Sequence, residues 1–211
     1  MERPERLAGV RGEYVYDTLL PALRGHLGIH AGDLVALARA HGLTVPTGEP
    51  GARGPEWLAL LEALAGVTPL AAAAGKTIGL LPVIRDLTDL VEGPVAPVAW
   101  WQRLFGGSGA KRAAPDPRLG RLLDLLRKLA DGLELPPELV RPLLGCFSGV
   151  LTEAETRELA DLLAAIGRET WLAWAERGVN RAAWPACYDV LAPAAREAAD
   201  RGLGLLYGAG Y

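Results

Sequence analysis

Histidine, cysteine, methionine and phenylalanine are nearly missing from this chain. Among 211 residues stand three histidines, two cysteines, one methionine and two phenylalanines. Two cysteines, Cys146 and Cys187, cannot build a disulfide framework or a thiolate cage for zinc, and their separation fits no metal-ligand spacing. They are expected to be free thiols buried as small hydrophobes. So few histidines confine acid–base chemistry near neutral pH to one short stretch. No apolar run reaches the ~18–20 residues that span a bilayer, because glycine, proline or a charge interrupts each one. The start, MERPERLAG, lacks the apolar core of a secretory signal. Charge of one sign is also missing. Against 25 acidic residues stand 22 basic ones, so the net charge of −3 gives no general attraction to nucleic acid or anionic membrane. These absences lead to the expectation of a soluble, cytoplasmic protein.

What is present is leucine and alanine at helical spacing. Half of the residues are hydrophobic and 22% are charged, as in a globular chain that can bury a core. In DPRLGRLLDLLRKLADG, Asp116 can cap, Pro117 suits the first helical position, and Gly132 follows the end. Leu119, Leu122, Leu123, Leu126, Leu129 and Ala130 form one stripe of that helix. In LTEAETRELADLLAAIGRETWLAWAERG, Thr152 and Glu155 have the spacing of a capping box, and Gly167 kinks or splits the helix before Gly178 ends it. Residues WPACYDVLAPAAREAADRG predict another helix, kinked or divided at Pro193. The tail LGLLYGAGY suits a short strand or coil. Further helices are predicted near 13–27, 32–41, 55–65, 69–74, 77–91 and 97–105. The fold expected is mainly α, a single-domain bundle of about eight to ten helices over residues 1–211, with a candidate hinge at 106–117.

Each apparent motif competes with a plain structural role. Gly75-Lys76-Thr77 ends like a phosphate-binding loop, yet Leu70 stands where that loop needs its first glycine. Four alanines follow it, and no strand precedes it, so the stretch predicts a turn between helices. GGSGAKR fails likewise, with Ala110 before Lys111 and Arg112 in place of a hydroxyl. DLVALARAHGLTVPTG begins like a helix-turn-helix, but Pro46, Gly48, Pro50, Gly51 and Gly54 leave no recognition helix.

Three groupings could hold function. His26, His30 and Asp33, with Glu13 and Asp17 on the preceding helix, could supply metal ligands or a proton shuttle, although Gly25, Gly28 and Gly32 interrupt the segment. His41 suits a helix C-terminus. The basic excess from Arg103 to Lys128, including Lys111, Arg112, Arg118, Arg121 and Arg127, could meet phosphates or form a solvated helix face. Trp100 and Trp101 are adjacent and therefore cannot share one helical face equally, so one of them, with Arg103, is a candidate partner contact. Trp171 and Trp174, three apart, can share a buried face.

The last third resembles the C-terminal part of the YfbM-like family of small bacterial proteins. LTEAETRELADLLAAI, a capped helix, and REAADRGLGLLYGAG, a helix running into a short apolar strand, carry the likeness. The resemblance brings over no catalytic residues. It implies an intracellular bacterial protein, an interaction or immunity-like module.

The function expected is non-enzymatic binding of a macromolecule, protein above all, through Trp100, Trp101 and Arg103, with no cofactor and no membrane partner; a homodimer is compatible. The alternatives are an enzyme using His26, His30 and Asp33, and a nucleic-acid binder using residues 103–128.

Overall fold

The computed structural model describes residues 5–26, 33–47, 55–92, 117–132 and 148–208. The fold is mainly helical, with a four-stranded antiparallel sheet. In chain order the elements are strand β1 (Arg6–Val10) and helix α1, residues 12–26, which passes through a π-helical stretch at Val15–Leu19. Helices α2 (Leu34–Ala40) and α3 (Pro55–Ala65) lead to strand β2 (Thr68–Pro69). Then come α4 (Leu80–Glu92), α5 (Pro117–Asp131), β3 (Gly149–Leu151), α6 (Glu153–Ala175), α7 (Ala183–Asp200) and β4 (Gly204–Gly208). That is seven helices among the described residues rather than eight to ten. The helix expected at 97–105 lies outside them, as does the candidate hinge apart from Pro117.

The tail read as a short strand or coil is strand β4, and three further strands join it in a sheet. Its order is β2-β1-β4-β3, and Leu7 opposite Tyr207 brings the two ends of the chain together. Successive strand residues point to opposite faces. Leu7, Leu151, Leu205 and Tyr207 join the core formed with α4, α5, α6 and α7. Ala8, Val10, Val150 and Leu206 join a second core with α1, α2 and α3. The sheet therefore divides two apolar cores, each roofed by helices. Both of its edges are occupied by side chains. At β3 the Tyr16 hydroxyl donates to the Val150 carbonyl, beneath a Lys128 ammonium 4.6 Å from the ring centroid. At β2, Pro69 has no amide to offer, and Arg201 Nη1 donates to its carbonyl at 3.2 Å. Edges closed in this way resist strand addition.

Local signals explain most helix ends. Thr152 and Glu155 complete the capping box, with the Thr152 amide on Glu155 Oε2 at 2.9 Å and the Glu155 amide on Thr152 Oγ1 at 3.3 Å. Within α6, Gly167 takes φ 70° and ψ 157° and breaks the helix direction. Just before the break the Ala165 carbonyl accepts from Arg118 Nη1 at 3.3 Å. Tyr188 braces the same turn through the Leu163 carbonyl at 3.1 Å. A Cβ at Gly167 would meet nothing within 4 Å, so the demand for glycine is conformational rather than steric. Gly167→Ala is expected to cost about 2 kcal/mol, read as a lower urea midpoint; an unchanged midpoint would mean that α6 runs straight.

Two expectations need correction. Residues 69–74 do not form a helix, because Pro69 belongs to β2 and only Ala71–Ala73 make a tight 3₁₀ turn. Helix α7 is not divided at Pro193 but continues through it as one element, since Trp184, Cys187, Val190, Leu191 and Ala194 on its buried face outweigh the lost backbone bond. No helix among the described residues is long and apolar enough to cross a membrane.

Candidate functional site

Trp100, Trp101, Arg103, Lys111, Arg112, His30 and Cys146 lie outside the described residues. His26 closes α1. Asp33 caps α2, its Oδ1 accepting the amides of Val35 and Ala36, each at 3.0 Å. Its carboxylate is thus used by the backbone. The Glu13 amide rests on Glu153 Oε2 at 2.8 Å, which links the starts of α1 and α6. His41 sits at the end of α2 with Nε2 2.9 Å from the Tyr14 hydroxyl, and Arg11 lies 4.2 Å from the centroid of the Tyr14 ring. Among the described residues no group of three or more His, Cys, Asp or Glu could hold a metal ion.

The described members of the basic segment act as ties between helices. Arg121 forms a bidentate pair with Glu158 at 2.7 and 2.6 Å, joining α5 to α6. Arg127 reaches Glu92 of α4 at 2.7 Å, and Lys128 reaches Glu155 at 2.7 Å. In the glycine-lysine-threonine stretch, Lys76 Nζ caps the Ala72 carbonyl at 2.9 Å. The amides of Ala71 and Ala72 donate to the Glu197 carboxylate at 3.1 and 3.0 Å, so a side chain already occupies them where a phosphate would sit. Cys187 is fully buried, and burial followed by the nearby Glu5 charge pushes its thiol well up, so it is a packing residue rather than a nucleophile.

The most organised polar constellation is one that the sequence analysis did not single out. Helix α4 buries Leu80, Val83 and Leu87, and Asp86 lies on that same side, 1% exposed. Asp86 Oδ2 accepts the Asn180 amide at 2.8 Å and the Trp184 indole N–H at 3.0 Å, and Oδ1 accepts Asn180 Nδ2 at 2.8 Å. Burial pushes this carboxyl up. The bonds from the Trp184 indole, from the Asn180 amide and side chain, and from the Val179 amide pull it down further, leaving it below the usual carboxylate range. The network extends inward, where Trp171 Nε1 donates to the Trp184 carbonyl at 2.9 Å and the two indoles meet edge-on with centroids 5.0 Å apart. The one sequence signal was a carboxylate at an apolar position of the α4 stripe.

Chemically this arrangement is a clamp. Asp86 accepts from N–H donors, and among the described residues these come from residues 179–184, at the connection between α6 and α7. The clamp fixes that connection against the start of α4, where Asn180 Nδ2 also approaches the Pro82 carbonyl at 3.4 Å. One residue away on either side of this contact stand Leu81, 44% exposed, and Val179, 87% exposed. They are the large hydrophobic side chains left exposed among the described residues. No family model, curated protein or solved structure matches this chain.

Proposed function

We propose that this chain is a non-enzymatic protein-binding module. The observation that supports the reading is that Val179, on a loop tied down by a buried carboxylate, and Leu81, beside the point of α4 that this loop touches, are both exposed. A single exposed apolar side chain is ordinary. Two of them flanking one fixed contact favour an interface, because a loop held in one shape loses less freedom on binding. The spending of Asp33, Glu155, Glu197 and Arg121 on caps and helix ties agrees with this. An immunity-like role, which the YfbM-like resemblance implies, is a narrower form of the same proposal, as is contact through Trp100, Trp101 and Arg103.

Affinity capture from a bacterial lysate, followed by rebinding of the purified captured protein, tests it. The expected result is at least one protein that rebinds in a defined ratio. Failure of every captured protein to rebind overturns the reading. Trp100→Ala and Trp101→Ala, made separately, are expected to weaken rebinding unequally, with at least one falling about tenfold.

A further inference from the structure

The clamp, the exposed pair and the charges beside them point to more than binding in general. We propose that the loop 176–181, together with Leu81 and Arg85 of α4, docks an acidic protein segment that carries apolar side chains. This rests on the protein-binding reading and names its surface and the partner's chemistry.

The loop sequence is ERGVNR, so Val179 stands between Arg177 and Arg181. Arg85 precedes Asp86 and lies one helical turn beyond Leu81, on the exposed side of α4. Arg85 and Arg177 are exposed and form no ion pair among the described residues. Arg181 reaches Glu176 at 3.2 Å, a solvent-facing pair that a stronger anion can displace. Asp89, the next acidic residue along α4, forms no ion pair with Arg85. The charge of Asp86 itself is buried and occupied by N–H donors. Val179 is thus an exposed apolar side chain with an arginine two residues away on either side, and Leu81 has the exposed Arg85 one turn beyond it. Arginine and apolar anchors of this kind dominate binding energy where they meet carboxylates and apolar side chains.

Beside Leu81 opens a groove of about 590 Å³ with Leu81, Ile84 and Ala130 at its apolar part and Arg127, Lys128 and Asp131 at its rim. It gives the apolar side chains of such a segment a place to lie. Strand addition is not the mode, since Tyr16 and Arg201 close the sheet edges.

Fluorescence anisotropy with a labelled peptide of repeating Glu-Glu-Leu-Leu blocks tests the proposal. Lys-Lys-Leu-Leu and Glu-Glu-Ser-Ser peptides and a single-stranded oligonucleotide serve as comparators. The wild-type chain is expected to bind the Glu-Leu peptide about tenfold or more tightly than each comparator, and less tightly as salt rises. Val179→Asp, and Arg85→Glu combined with Arg177→Glu, are expected to weaken it about tenfold with unchanged melting, because these side chains are exposed. Arg39→Glu, on the remote helix α2, should leave binding unaltered. No binding of the Glu-Leu peptide, equal binding by all variants, or tighter binding of the oligonucleotide overturns the proposal. A captured protein that rebinds wild type and every loop variant equally would leave the binding reading standing and remove this surface.

Discussion

Asp86→Ala is expected to lower the unfolding free energy by about 3 kcal/mol or more. The substitution removes an acceptor, and the cost arises from the donors left behind. The Trp184 indole N–H, the Asn180 amide and the Asn180 side chain all point at that carboxylate, and Trp184 is fully buried. Water cannot replace the lost partner at the indole without opening the packing against Trp171. For a chain of this size such a loss lowers the melting temperature by roughly 6–12 °C. Calorimetry of the purified variant checks it, and a melting temperature within about 1 °C of wild type would show that the clamp contributes nothing net.

The same residue makes a pH prediction with a definite sign. The folded chain holds the Asp86 carboxyl below its ordinary range, so folding favours the ionised form. Its contribution is fully present above the ordinary carboxylate range and is lost as pH falls through the lowered folded value. Asp86→Asn, which keeps the shape and one acceptor, should flatten the acid limb of the melting curve while lowering stability at neutral pH. Glu155 adds to the acid limb in the same direction, since the Lys128 ammonium and Thr152 outweigh its burial and hold its carboxyl down. The two contributions separate in the double variant.

The helices with one buried face were legible because their information is local. Pro117–Asp131 shows its leucine stripe and Thr152 shows its capping box within a few residues, and both stand in the structure. Of the sheet only β4 was legible, in the tail LGLLYGAGY; the other strands were not, for a physical reason. Alternation of apolar and polar residues marks a strand only when one face meets water. Here β1 and β3 have helices on both faces, so RLAGV and GVL show short apolar runs with no period. The alanines after Leu70 favour helix by propensity, yet pairing of Pro69 with Ala8 and the Glu197 carboxylate on the next amides set a tight turn instead. The clamp was hidden by distance. Asp86 and Asn180 are 94 residues apart, and neither carries a spacing that would announce the other. That is why the chemistry-like fragments drew attention in the sequence while the constellation that fixes an exposed loop did not.

Gly149→Ala tests the other long-range dependence, the seating of the edge strand β3 on the end of α5. A Cβ at Gly149 would lie 2.2 Å from the Leu129 carbonyl oxygen and 2.3 Å from that of Lys128. Both are backbone atoms, so no rotamer change can relieve the contact. Either β3 leaves β4 or the last turn of α5 moves, and that turn carries Lys128, whose ammonium holds Glu155 of the α6 capping box. We expect a loss of about 3 kcal/mol, measured as a lower denaturant midpoint at unchanged slope, with faster hydrogen exchange at the Leu205–Tyr207 amides. Gly120→Ala is the contrasting variant. Gly120 lies within α5, and a Cβ there would meet nothing within 4 Å. It should raise stability by up to about 1 kcal/mol, the helical advantage of alanine over glycine. If both substitutions shifted the midpoint alike, the close approach of β3 to α5 would be wrong, and with it the coupling of the sheet edge to the start of α6.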